Sequence, residues 1–177
     1  MSGDHVDRII EQWRRERPDL DVTPMEVVGR VSRLDRLLRP HLRATFTRFG
    51  LEDWEFDMLA TLRRHEAPHR LSAGALLDSM MVSSGAMTNR IDRLQARGLV
   101  QRERDPEDAR VVLVSLTEQG LALVDEALDA HVAKEARLVS ALDDHQRARL
   151  ASLLRALHLA VEELGDPPAA DGSSSAR

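Results

Sequence analysis

Cysteine and tyrosine are absent from the 177-residue chain, which carries two tryptophans, three phenylalanines and a single lysine, Lys134. Without a thiol, disulfide staples, thiol catalysis and cysteine-based peroxide sensing are excluded. No apolar run approaches the roughly 18 residues that a membrane span requires, and the start shows no signal-peptide core, so a cytoplasmic protein is expected. A positive excess is missing too: 30 acidic against 25 basic side chains leave a net charge of −5. That total argues against coating nucleic acid or an anionic membrane, but not against a local basic face. There is no Gly-rich phosphate loop, and Ser83-Ser84-Gly85 lacks the strand-before context of a nucleophile elbow. His65 and His69 have a spacing that binds metal on a helix, but Pro68 intervenes and no third ligand is evident. No enzyme, no metal site and no cofactor are expected.

What is present favours helices. At 42% hydrophobic and 31% charged, the composition suits one globular domain of ordinary core size, or a domain with dimerisation arms. Helix formers dominate, so a mainly α chain with a minor β element is expected. Val6, Ile9, Ile10 and Trp13 recur at i, i+3, i+4 and i+7, which predicts a short amphipathic helix ended by Pro18. Trp13 either anchors a packing arm there or holds its ring over a ligand. Thr23-Pro24-Met25-Glu26 reads as a capping box. The helix it opens should reach about Phe49, with a kink at Pro40. Residues 52–66 form the next helix, whose wide apolar face (Trp54, Phe56, Met58, Leu59, Leu62) suggests burial on more than one side. Asp57 lies between Phe56 and Met58, and a carboxylate buried there needs a partner, usually arginine.

The stretch from Leu71 to Thr117 carries the densest signal. A short helix with Leu76, Leu77 and Met80 on one side leads through the turn Met81-Val82-Ser83-Ser84 into a second helix. There Met87, Ile91 and Leu94 form one buried stripe, and Gly98 stands where a helix-closing glycine belongs. Leu99 to Arg104 and Val111 to Leu116 read as strands joined by the turn Asp105-Pro106-Glu107-Asp108. Helix-turn-helix spacing also occurs in domains that bind no DNA. The hairpin wing directly behind the second helix points to a DNA reader. Thr117 then caps a helix through about Leu142. Asp143-Asp144-His145-Gln146 is a further capping box, before a stripe of Leu150, Leu153, Leu154, Leu157, Val161 and Leu164.

Apolar helix faces at both ends of the chain exceed what one small domain needs, and a shared dimerisation bundle is expected. The organisation is then an extra N-terminal helix over 1–18, dimerisation helices over 23–66 and 117–165, a winged helix-turn-helix over 70–116 and a disordered tail over 166–177. The fold class is mainly α, a winged helix-turn-helix with an N- and C-terminal helical dimerisation bundle.

This order of elements resembles the MarR family of winged-helix regulators. The residues that carry the resemblance are Ser83 to Leu94, Gly98-Leu99-Val100, Asp105 to Arg110 and Leu116-Thr117, within a match over about residues 24–164. The extra helix with Trp13, the run Trp54 to Arg63 and the segment Ser84 to Arg90 resemble the urate-responsive branch of that family. A related subgroup, the regulators of trans-aconitate methyltransferase genes, shares this architecture. The likeness implies a small anionic metabolite, urate- or purine-like or aconitate- or citrate-like, held by Trp13, Asp57, Arg90 and Arg102. On a helical wheel Arg90 lies about 60° from the centre of the buried stripe, a poor position for reading bases and a reasonable one for meeting Asp57. A purely structural salt-bridge cluster is the alternative, in a constitutive dimeric DNA-binding protein. For the DNA contacts, Ser83 and Ser84 suit phosphates, Thr88, Asn89 and Arg93 suit base edges, and Arg110, oriented by Asp108, suits the minor groove. The expected partners are a double-stranded, pseudo-palindromic operator and a second copy of the chain, with no membrane; a repressor is expected.

Overall fold

The computed structural model describes residues 3–80 and 83–165; Met81 and Val82 of the expected turn, and the expected tail from 166, lie outside them. The chain divides into two compact units, Met1–Glu135 and Ala136–Arg177.

Helix α1 (His5–Glu16) is opened by Asp4, whose carboxylate accepts from the amides of Val6 and Asp7, while Asp7 accepts from the Asp4 amide. Val6 and Ile10 are buried with Val22, whereas Ile9 and Trp13 on the same stripe stay exposed. Arg30 of α2 (Thr23–Thr47) bonds to both Asp4 and Asp7, so charge as well as packing ties α1 to α2. The start of α2 is not the expected capping box. Asp21 accepts from both the amide and the hydroxyl of Thr23, which occupies that hydroxyl, and Val22 stands at the cap position. The helix then runs across Pro40 to Thr47.

Helix α3 (Asp53–Arg63) is buried on several sides, with Met58, Leu59 and Leu62 all sealed and Phe56 stacked on Phe46 at 4.2 Å. A strand that periodicity did not reveal, β1 (Arg70–Ser72), follows; three residues are too few to show alternation. After α4 (Ala73–Met80) and α5 (Ser84–Ala96) come the wing strands β2 (Val100–Arg104) and β3 (Val112–Leu116). The sheet is antiparallel in the order β1-β3-β2, with Leu71 opposite Val114 and Val100 opposite Leu116. Ser83 caps α5, Met87, Ile91 and Leu94 are its buried stripe, and Gly98, at φ 69°, turns the chain into β2. The result is a mainly α fold with a small three-stranded sheet.

One threonine ties the end of the α5 turn to the next helix. The Thr117 hydroxyl donates to the Gly98 carbonyl and accepts the amide of Gly120, starting α6 (Glu118–Leu138). The helix stops four residues before the expected Leu142, because turn bonds from Ser140 and Leu142 replace the helical ladder and Asp143 caps α7 (Asp144–Glu163) with Gln146. The core of the first unit gathers Leu59, Leu62, Leu76, Leu94, Leu99, Val114 and Val124. In the second unit no residue of α7 is buried, and its leucine stripe faces outward.

At the junction of wing and α6, backbone meets backbone. A Cβ on Gly120 would lie 1.9 Å from the Leu99 carbonyl oxygen, which itself accepts the Thr117 amide. Substitution Gly120→Ala is therefore expected to cost about 2–3 kcal/mol, more than the gain in helix propensity returns, as read by urea denaturation.

Candidate ligand cavity and DNA-binding surface

The chemistry concentrates where α5 leans on the N-terminal half of α3. Arg90, Arg93 and Arg97 follow one another at i, i+3 and i+7, so one flank of α5 is a ladder of guanidinium groups. The three rungs are held differently. Arg97 pairs with Glu55 at 2.7 Å and donates to the Gly50 carbonyl, and Glu55 also accepts the amide of Glu52. Glu55 is only 2% exposed, so this is the buried ion pair of the site. Arg93 pairs with Glu52 at 2.6 Å, the other Glu52 oxygen accepts from the Trp54 indole at 2.8 Å, and these two donors hold the Glu52 carboxyl below the usual range. Arg90 makes no ion pair among the described residues. Its guanidinium lies 5.3 Å from the Trp54 ring centroid, beside that of Arg93 at 4.8 Å.

Next to Arg90 is a cavity of about 520 Å³. Asp53, Trp54, Asp57, Thr61 and Arg64 line it from α3 and its C-terminal end, and Ser79, Met80 and Arg90 from the other side. Asp57 is an exposed residue on the cavity wall with no cation at ion-pair distance among the described residues, so neither the burial nor the arginine partner expected for it is in place. Partial desolvation against the cavity wall and the neighbouring Asp53 push its carboxyl above the ordinary carboxylate range, against the opposing pull of Arg90, His131 and Arg64. His131 packs against Phe46 and Phe56, each centroid at 5.1 Å, behind this wall. A carboxyl and an unpaired guanidinium thus face one cavity; the guanidinium is a forked donor suited to carboxylate-like groups, and the carboxyl can hold a proton.

Of the four residues expected to hold the ligand, Asp57 and Arg90 line this cavity. The other two do not line it. Trp13 is 43% exposed on α1, and Arg102 on β2 pairs with Asp92 and donates to the Thr88 carbonyl. Trp54 and Arg64, which the sequence did not single out for a ligand, also line the cavity. Their signal is a polar stripe of Asp53, Asp57 and Arg64 at helical spacing, with Trp54 beside it.

The residues expected to meet DNA separate in the same way. Ser83, Ser84, Thr88 and Asn89 are exposed on the first half of α5. Arg93 is turned to the flank and engaged with Glu52 and Trp54. At the wing tip Asp108 holds the almost fully exposed Arg110 by two bonds of 3.0 and 3.1 Å, and accepts its amide as well.

The raised Asp57 carboxyl has a consequence for stability. A carboxyl with a raised folded-state pKa favours folding while protonated, and that contribution is lost as pH rises through the folded value. Ionised Asp57 is thus a liability at neutral pH. Asp57→Asn should melt higher than wild type at pH 7, and the difference should vanish near about pH 3, where both side chains are neutral.

Comparison with known proteins agrees with this architecture. The model of the MarR family matches residues 49–111. The chain is 38% identical over 149 residues to the HTH-type transcriptional regulator PecS of Dickeya dadantii, across 84% of this chain and 90% of that protein. It is 31% identical over 150 residues to the HTH-type transcriptional repressor NicR of Pseudomonas putida, across 82% and 93%. The crystal structure of AbsC, a MarR family transcriptional regulator from Streptomyces coelicolor, is similar with a TM-score of 0.73 at 25% identity, across 81% of this chain and 97% of that one. The chain belongs to the MarR family and is a DNA-binding transcriptional regulator, not an enzyme.

Proposed function

We propose that the protein is a homodimeric repressor, released from a pseudo-palindromic operator when a small anionic metabolite enters the cavity between α3 and α5. The observation that carries this reading is the unpaired guanidinium of Arg90, which lines that cavity from the DNA-reading helix itself. An anion bound there competes with the Trp54 ring for Arg90 and repels ionised Asp57, so its binding free energy acts directly on the position of α5. Release follows only if the ligand binds the DNA-incompetent form more tightly. Arg64 and Arg90 together suit a planar anion or a polycarboxylate, urate- or purine-like or aconitate- or citrate-like. Trp13 and Arg102 join the site only if the helices rearrange or a second copy contributes. Exposed apolar faces support the dimer: Val27, Val28, Val31 and Leu34 on α2, and Leu150, Leu153, Leu157 and Val161 on α7. The name of NicR supports repression.

On DNA, Ser83 and Ser84 at the N-terminus of α5 bind phosphate, and Thr88 and Asn89 meet base edges in the major groove. Arg110 reaches the minor groove with Asp108 setting its orientation, and the two half-sites lie about one helical turn apart. One observation favours the alternative, a constitutive DNA-binding protein with no ligand: Arg102, one of the four expected ligand residues, is already satisfied by Asp92.

The two readings separate in a thermal-shift screen against urate, xanthine, citrate, cis-aconitate and trans-aconitate. A ligand at a hundred times its Kd should raise the melting temperature by about 5–10 °C, and Arg90→Ala should abolish the rise. A flat response to all five compounds, with DNA binding intact, would return Asp57 and Arg90 to structural duty. For the wing, Arg110→Ala should weaken binding to every duplex and flatten the salt dependence by about one unit of slope; an unchanged slope removes Arg110 from the interface.

A further inference from the structure

Resting on the reading of α5 as the DNA-reading helix, we propose that Glu52 is a built-in competitor of DNA. Its carboxylate holds Arg93 against Trp54 in the free protein, and Arg93 reaches the DNA backbone only by exchanging that carboxylate for a phosphate.

The rungs of the arginine ladder are held unequally. Arg97 is bound to Glu55, whose side chain is 3% exposed, so opening that pair strands a carboxylate away from water. The Arg93–Glu52 pair is 49% and 56% exposed, and opening it strands nothing. Glu52 is the fixed partner of the two. One oxygen receives the Trp54 indole at 2.8 Å, and the Glu52 amide is held by Glu55 at 2.9 Å. Arg93 is the movable one, a long side chain on the solvent flank of α5 about one turn beyond Asn89. A forked guanidinium binds phosphate at least as well as carboxylate, and the Trp54 ring keeps it extended in waiting. The exchange makes DNA binding weaker than the same surface would give with Arg93 unengaged. It also masks one cation of the reading helix until a phosphate is presented.

The test is a double-variant cycle with the full chain and a fluorescently labelled mixed-sequence duplex, titrated across a sodium chloride series. Glu52→Gln should tighten binding roughly threefold to fivefold, the size of an exposed ion pair. Arg93→Ala should weaken binding and flatten the salt slope by about one unit. In the Arg93→Ala background, Glu52→Gln should have no effect. If its gain persists there, the effect is only the loss of a negative charge near DNA, and the proposal is overturned. It is equally overturned if Glu52→Gln gives no gain while Arg93→Ala weakens binding, or if Arg93→Ala is silent while Arg110→Ala flattens the slope. Silence of both arginine variants would instead overturn the reading of α5 and the wing as the DNA surface. Should Glu52→Gln melt well below wild type, Glu52→Ala, which keeps the backbone bond to Glu55, takes its place in the cycle.

Discussion

The structure depends on one buried ion pair. Glu55, at the start of α3, is almost wholly shielded from water and is satisfied by Arg97 and the Glu52 amide. A carboxylate removed from water costs several kcal/mol unless paired, so the end of α5 can hardly leave α3 while Glu55 stays buried. The Arg97 bond to the Gly50 carbonyl carries the same constraint into the turn between α2 and α3. Helix α5 is thus hinged at its C-terminal end, where Gly98 and Thr117 connect it to the wing and α6.

From that hinge, constraint falls away toward the N-terminus of α5. The next rung is a half-exposed pair, Arg93 with Glu52, and the one after, Arg90, rests on an aromatic ring beside a cavity. Loss of a firm partner one turn at a time leaves the N-terminal half of α5, the half proposed to meet DNA, the easiest part to displace. A small anion would act at the rung with the weakest hold.

The acidic total of the chain fits this arrangement. Four arginines of α5, its C-terminal end and the wing, Arg97, Arg93, Arg102 and Arg110, are faced by the carboxylates of Glu55, Glu52, Asp92 and Asp108. A surface so balanced attracts nucleic acid weakly at long range, which favours discrimination over loose adhesion.

Local chemistry in the sequence determined much of this. The buried stripe of Met87, Ile91 and Leu94, the Gly98 terminator, the Thr117 cap and the wing turn are short-range signals, and each leaves its mark within a few residues. So does the Asp143 capping box with Gln146. Where the rules of neighbours did not suffice, partners lay far along the chain. Strand β1 exists only because β3 offers it an edge more than forty residues later. The acid that is deeply buried is Glu55, and nothing within one turn of it announces Arg97. Asp57, the acid that periodicity singled out, faces a cavity instead of a partner, because packing of α3 against α5 set their spacing. That Arg93 leans on Trp54 while Asn89 faces outward is likewise a matter of helix rotation, which hydrophobic periodicity gives to within a few tens of degrees and tertiary packing decides.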